Sequence, residues 1–109
     1  MTEPVVRRRY YENGSIKEEY WYLDNLLHRV DGPALIYYNP NGSLKEENWW
    51  LNNQLHRTDG PAIIWYKFYG FIKEKCWFLN GKKLTKEEIE NLKLDLEIKS
   101  TIENWLTHE

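Results

Sequence analysis

Two copies of one short pattern, His28-Arg29-x-Asp31 and His56-Arg57-x-Asp59, hold the residue types with the most chemistry in this chain of 109 residues. An imidazole near a carboxylate suggests general acid–base work. Such work needs the acid, the base and the reacting atom to converge in one pocket. These copies instead lie 28 residues apart, and each runs on into Gly-Pro-Ala. Recurrence at a fixed phase is what a structural turn motif produces. The spacing therefore predicts that Arg29 pairs with Asp31 and Arg57 with Asp59 around a turn. His28 and His56 are expected to bond neighbouring backbone or Trp. No catalytic residue is assigned, and the chain reads as non-enzymatic. No metal or cofactor is expected either: there are three His, Cys76 is the sole cysteine, and neither His-x-His nor His-Glu-x-x-His spacing occurs.

The elements that carry these residues repeat with them. A shift of 28 superposes Tyr10, Tyr38 and Tyr66, then Gly14, Gly42 and Gly70, then Trp21, Trp49 and Trp77, then Leu23, Leu51 and Leu79. Between 6–33 and 34–61, 16 of 28 positions are identical. The third copy stays in phase through Asn80-Gly81 and then lacks His-Arg-x-Asp-Gly-Pro-Ala. Within a unit, residues 16–23 alternate with period two, putting Lys17, Glu19, Trp21 and Leu23 on one face and Ile16, Glu18, Tyr20 and Tyr22 on the other. Asp24-Asn25, Asn52-Asn53 and Asn80-Gly81 occupy two-residue turns, where positive φ is needed and these residues tolerate it. Ala34–Tyr38 and Ala62–Tyr66 read as a further strand opened by a proline.

The expected fold is mainly β: a single-layer antiparallel meander of 28-residue units over 1–84, with an acidic helical tail at 85–109 acting as a cap. Thr85-Lys86-Glu87-Glu88 and Ser100-Thr101-Ile102-Glu103 each have the form of a capping box, which predicts two short helices and leaves 94–99 open.

Composition narrows the partner. A net charge of −2 supplies no general attraction for phosphate backbones, so a nucleic-acid partner is not expected. No apolar run reaches the ~20 residues of a membrane span, so no membrane partner is expected. The N-terminus lacks the basic-then-apolar pattern of a secretory signal, which places the chain in the cytoplasm. With 6 Trp, 8 Tyr and 3 Phe, the surplus is aromatic.

The segments LHRVDGPALIYY (27–38) and LHRTDGPAIIWY (55–66), each preceded by Trp-x-Leu-x-Asn, resemble the variant MORN-type β-hairpin repeats. These occur in tandem in bacterial, phage and large-virus proteins, some of them labelled antitoxins or immunity factors. The resemblance covers roughly 10–84, with a unit longer than the usual MORN repeat. It implies a scaffold for protein binding in a phage, viral or bacterial accessory protein, such as an immunity-related inhibitor or antitoxin, and brings no catalytic residues with it.

Trp21, Trp49 and Trp77 are expected to stack as a core ladder. On the opposite face Tyr22, Trp50 and Phe78, with Tyr20 beside them, form a second aromatic row, which either the tail or a protein partner must cover. This row is the candidate partner-binding surface. The alternative is a small, nucleotide-like ligand stacked on aromatic rings, with Arg7, Arg9, Arg29 and Arg57 contacting its anion. The sequence leaves the oligomeric state open, including pairing of two copies edge to edge.

Overall fold

The computed structural model describes residues 3–107. In chain order its strands are β1 (Val5–Tyr10), β2 (Ile16–Leu23), β3 (Leu26–Leu27), β4 (Leu35–Tyr38), β5 (Leu44–Asn48), β6 (Trp50–Leu51), β7 (Gln54–Leu55), β8 (Ile63–Tyr66), β9 (Ile72–Cys76), β10 (Phe78–Leu79) and β11 (Lys82–Lys83). One helix, α1 (Lys86–Thr107), follows. The chain is thus mainly β with a C-terminal helix, as expected. Strands β1, β2, β4, β5, β8 and β9 pair antiparallel in that order, and β3 folds back on the end of β2. The tips of the second and third units form two separate ribbons, β6–β7 and β10–β11.

Local chemistry makes these turns. Asp24, Asn25, Asn52, Asn53 and Asn80 all adopt positive φ, between 47° and 67°, in the tight two-residue turns that join β2 to β3, β6 to β7 and β10 to β11. At the other end of the sheet, the Asn13 and Asn41 side chains accept the amides of Ser15 and Ser43 at 2.9 and 3.0 Å, closing Asx turns. Beside these two turns, and beside the Lys67–Gly70 turn of the third unit, the pairing slips by one residue, at Arg9/Tyr10, Tyr37/Tyr38 and Trp65/Tyr66.

A single-layer sheet has no second layer to cover its apolar residues, and the His-Arg-x-Asp-Gly-Pro-Ala segments solve that problem. Each arches over its own unit so that the Arg29 guanidinium lies 3.8 Å above the Trp21 ring and that of Arg57 lies 3.9 Å above Trp49. Asp31 and Asp59 accept from the two Arg Nε at 3.0 and 2.9 Å, and the Pro33 and Pro61 carbonyls accept from Nη1. Gly32 and Gly60 close the stack from above. A Cβ on either would stand 2.8 Å from the guanidinium carbon, so any other residue would push the Arg out of this stack. Under these arches lie Ala34, Ile36, Ala62 and Ile64, all buried.

Glu19 ties the first unit to β1. It is buried, accepting from the Trp21 indole at 2.9 Å and from Arg8 at 2.7 Å. Burial pushes its carboxyl up, but the Trp21 indole, Arg8 and Arg29 outweigh that and hold it below the usual carboxylate range.

The two histidines join units. His28 Nδ1 accepts the Asn52 amide at 3.1 Å, and His56 Nδ1 accepts the Asn80 amide at 2.8 Å. The rings are therefore held as acceptors at Nδ1, 24 residues away in sequence from their donors. Backbone bonds run alongside: Arg29 N to the Trp50 carbonyl, Asn53 N to Leu27, Arg57 N to Phe78 and Gly81 N to Leu55.

The tail differs from its expected form. One helix of 22 residues replaces the two short ones, and it includes 94–99. The first capping box is present, with Glu88 N donating to Thr85 Oγ1 and Thr85 N to Glu88 Oε1. The second is not. Thr101 sits inside the helix, where its hydroxyl donates back to the Glu97 carbonyl at 2.9 Å. The alternation of Leu92, Leu94, Leu96 and Ile98, which suggests a strand, instead supplies two opposite helix stripes. Ile89, Leu92 and Leu96 are half-buried, whereas Leu94, Ile98, Ile102 and Trp105 are exposed. Lys93 extends its ammonium to 5.8 Å from the Trp77 ring centre, where units one and two use arginine.

The Arg–Trp–Gly stack yields a coupled prediction. Gly60→Ala and Arg57→Ala should each destabilise the protein by about 1–2 kcal/mol, through lost cation–π contact and hydrogen bonds. The double variant should cost clearly less than the sum, because either change alone dismantles the stack. Urea denaturation of the four proteins measures the coupling; additive losses would mean that Gly60 and Arg57 act independently.

Candidate functional site

Cross-strand register decides which side chains share a face, since directly paired residues project together. The pairs Arg7–Tyr20, Tyr20–Leu35, Leu35–Asn48, Asn48–Ile63 and Ile63–Cys76 build one ladder across the whole sheet. A second ladder runs beside it on the same face, through Arg9, Glu18, Tyr37, Glu46, Trp65 and Glu74. On the other side of the first ladder stand Tyr22, Trp50 and Phe78, all half-buried. Tyr20 and Tyr22 alternate onto this face along β2, and Trp50 and Phe78 hold the position of Tyr22 in the ribbons β6–β7 and β10–β11 that follow the breaks at Trp49 and Trp77. The structure adds Tyr37 and Trp65, which sequence reasoning missed. Their signal was available: 37 and 65 lie one repeat apart and are both aromatic.

The acids of this face alternate with rings. Glu18, Glu46 and Glu74 occupy every second strand of their ladder, so neighbouring acids stand roughly 10 Å apart at the ~4.8 Å strand spacing. Tyr20 donates its hydroxyl to Glu18, and Asn48, itself buried, donates to Glu46 at 2.9 Å. Burial first, then the bond to Glu18, pushes the Tyr20 hydroxyl up to about 12. The rings of Tyr20 and Tyr22 lie 6.2 Å apart and nearly parallel. Trp50 Nε1 is shielded from solvent and has no hydrogen-bond partner among the described residues.

The covered Trp side presents different chemistry. Arg29 and Arg57 lie there, over Trp21 and Trp49, whereas Arg7 and Arg9 belong to the aromatic face. The four arginines offered as contacts for an anion do not converge. A groove of about 380 Å³ separates the two arches and is lined in part by Arg29, Asp31, Arg57 and Asp59. Each arginine in it is already matched by its own aspartate, so the groove offers no excess positive charge. His28 and His56 serve the inter-unit bonds and lie at successive arches. No group of three or more His, Cys, Asp or Glu among the described residues could hold a metal ion.

Lys93 of α1 meets Trp77, the counterpart of Trp21 and Trp49. No helix among the described residues is long and apolar enough to cross a membrane. No family model, curated protein or solved structure matches the chain.

Two tyrosine hydroxyls carry a measurable consequence. Tyr66 donates to Glu47 and, like Tyr20, is pushed by burial and its carboxylate to about 12. A hydroxyl whose proton is held more tightly in the folded state stabilises the fold below the ordinary tyrosine value of ~10. That contribution is lost as pH rises through about 12. Absorbance titration near 295 nm should show a late-titrating tyrosine fraction, reduced in Tyr66→Phe. If every tyrosine titrates near ~10 in the folded protein, these hydrogen bonds do not persist in solution.

Proposed function

We propose that this chain is a non-enzymatic protein-interaction module of the MORN-like repeat type. Its partner docks on the face that carries Tyr20, Tyr22, Trp50 and Phe78, and presents basic groups to the Glu18–Tyr37–Glu46–Trp65–Glu74 ladder. The observation that carries this reading is the unequal treatment of the two faces. The Trp side receives a lid from the chain itself, with Arg29, Arg57 and Lys93 over the three tryptophans. Among the described residues, the half-buried rings of Tyr20, Tyr22, Trp50 and Phe78 have no arginine or lysine laid over them, although an antiparallel sheet ordinarily turns polar residues toward water. Rings interleaved with carboxylates suit a partner bearing Lys or Arg, which gains both a charge partner and a ring to lie on. The repeat type is supported by the 28-residue periodicity and the strand order. A role as an inhibitor or antitoxin in a phage, viral or bacterial setting rests on the resemblance of 27–38 and 55–66.

The test compares the two sides of the sheet. Captured from its native host, the partner should be retained by wild type and by Val30→Ser, which alters an exposed residue of the first arch. Trp65→Ser should weaken binding by roughly tenfold or more, as loss of an aromatic anchor does. Glu74→Lys changes an exposed residue with little expected effect on folding, and should weaken the complex while lowering its salt sensitivity. Retention of the partner by both face variants, with their folds intact, would falsify this assignment.

A further inference from the structure

Among the described residues the sheet ends in two open edges, β1 and β9, and both depart in charge from the equivalent strands of the other units. Strand β1 stands where β4 and β8 stand in the later units. Opposite their Leu35-Ile36-Tyr37 and Ile63-Ile64-Trp65 it carries Arg7-Arg8-Arg9. Strand β9 stands where β2 and β5 stand. Against their Lys17-Glu18-Glu19 and Lys45-Glu46-Glu47 it reads Lys73-Glu74-Lys75. All four departures add positive charge, and all four lie at the two ends.

The geometry otherwise invites the ends to join. In this antiparallel order β9 runs in the direction of β2 and β5, and β1 in the direction of β4 and β8. A second copy could lay its β1 on β9 and continue the sheet in phase. The register already present inside the chain fixes what would meet. Glu18–Tyr37, Glu19–Ile36 and Tyr20–Leu35 pair between β2 and β4; Glu46–Trp65, Glu47–Ile64 and Asn48–Ile63 pair between β5 and β8. One repeat further, Glu74 would face Arg9, Lys75 would face Arg8, and Cys76 would face Arg7 of the incoming copy. The amides of Trp21 and Trp49 donate to the Ala34 and Ala62 carbonyls at 2.8 and 2.7 Å, and the incoming Val6 carbonyl would stand at the corresponding place beside Trp77. Ile72, Lys73, Glu74 and Lys75 are all exposed, so α1 leaves this edge open.

We propose that β9 and β1 form a matched head-to-tail interface between copies of this chain, held apart by the like charges of Lys75 and Arg8. Like charges directly opposite on neighbouring strands repel, and lysines on edge strands reject unwanted pairing. Glu74–Arg9 is the one favourable contact, and Arg9 already lies 3.6 Å from Glu18 of its own sheet; Arg8 is likewise bonded to Glu19 at 2.7 Å, which offsets part of its repulsion toward Lys75. A head-to-tail join of this kind leaves a free edge at each end of a dimer, so without the repulsion it would go on adding copies, into a ring or a filament.

A single reversal tests this, because Lys75→Glu restores the residue that the other units carry and places it opposite Arg8 of the next copy. Wild type should remain monomeric by sedimentation across a wide concentration range. Lys75→Glu should show a weight-average mass that climbs past the dimer with concentration and falls back as salt is raised. Lys73→Glu makes the same charge change on the same strand, away from Arg8, and should remain monomeric. Lys75→Gln serves if the reversal impairs folding, and should associate more than wild type. Self-association of wild type, a folded but monomeric Lys75→Glu, or equal association of Lys73→Glu and Lys75→Glu would each overturn the proposal.

Discussion

An arginine held between a tryptophan ring and a glycine is the contact on which this structure turns. A lone sheet cannot bury a Trp ladder by itself, and the two small ribbons β6–β7 and β10–β11 are too short to cover one. The arches supply the missing layer with one side chain per unit. Guanidinium is suited to this: its flat face can lie on an indole while its edge spends its donors on a carboxylate and a carbonyl. Asp31 and Asp59 set its angle, and Pro33 and Pro61 fix the descent into the next strand. The buried Ala34 and Ala62 follow from the same requirement, since the arch must come down close to the sheet. The third unit has no arch, and α1 replaces guanidinium with the more distant ammonium of Lys93.

Charge is distributed to match this division. Carboxylates lie in a ladder on the aromatic face, arginines and aspartates cancel locally on the arches, and extra basic residues collect at the two edges, where Arg8 and Arg9 are met by Glu19 and Glu18. A net charge of −2 conceals all three patterns. The sum gives a reader no hint that a face could prefer a basic partner while the edges repel one another.

Much of the fold could be read before any coordinates. The periodicity of 28, the tight turns at Asn and Asp, and the Arg–Asp pairs are local features, and local features are what sequence reveals most directly. The helix was harder. Leu92, Leu94, Leu96 and Ile98 alternate as strand residues do, and only the hydrogen bond from Thr101 to Glu97 and the uninterrupted helix show that alternation can also mark two opposite helix stripes. The separation of β6–β7 and β10–β11 from the main sheet was equally hidden, because it depends on a break at Trp49 and Trp77 that no residue type announces. For the candidate face, the row Tyr22, Trp50 and Phe78 followed from alternation within one strand. Tyr37 and Trp65 come from different strands, and placing them beside Glu18 and Glu46 required the register between strands.

Every tie between neighbouring units among the described residues spans less than one repeat, from the 13 residues separating Trp21 from the Ala34 carbonyl to the 27 separating Tyr11 from the Tyr38 carbonyl it bonds. No bond of this kind reaches from the first unit to the third. Copying or deleting one 28-residue block in the gene would therefore leave each junction with the neighbour it already recognises. Overall length is then a quantity that evolution can adjust by unequal recombination, in whole steps, without new packing having to be invented.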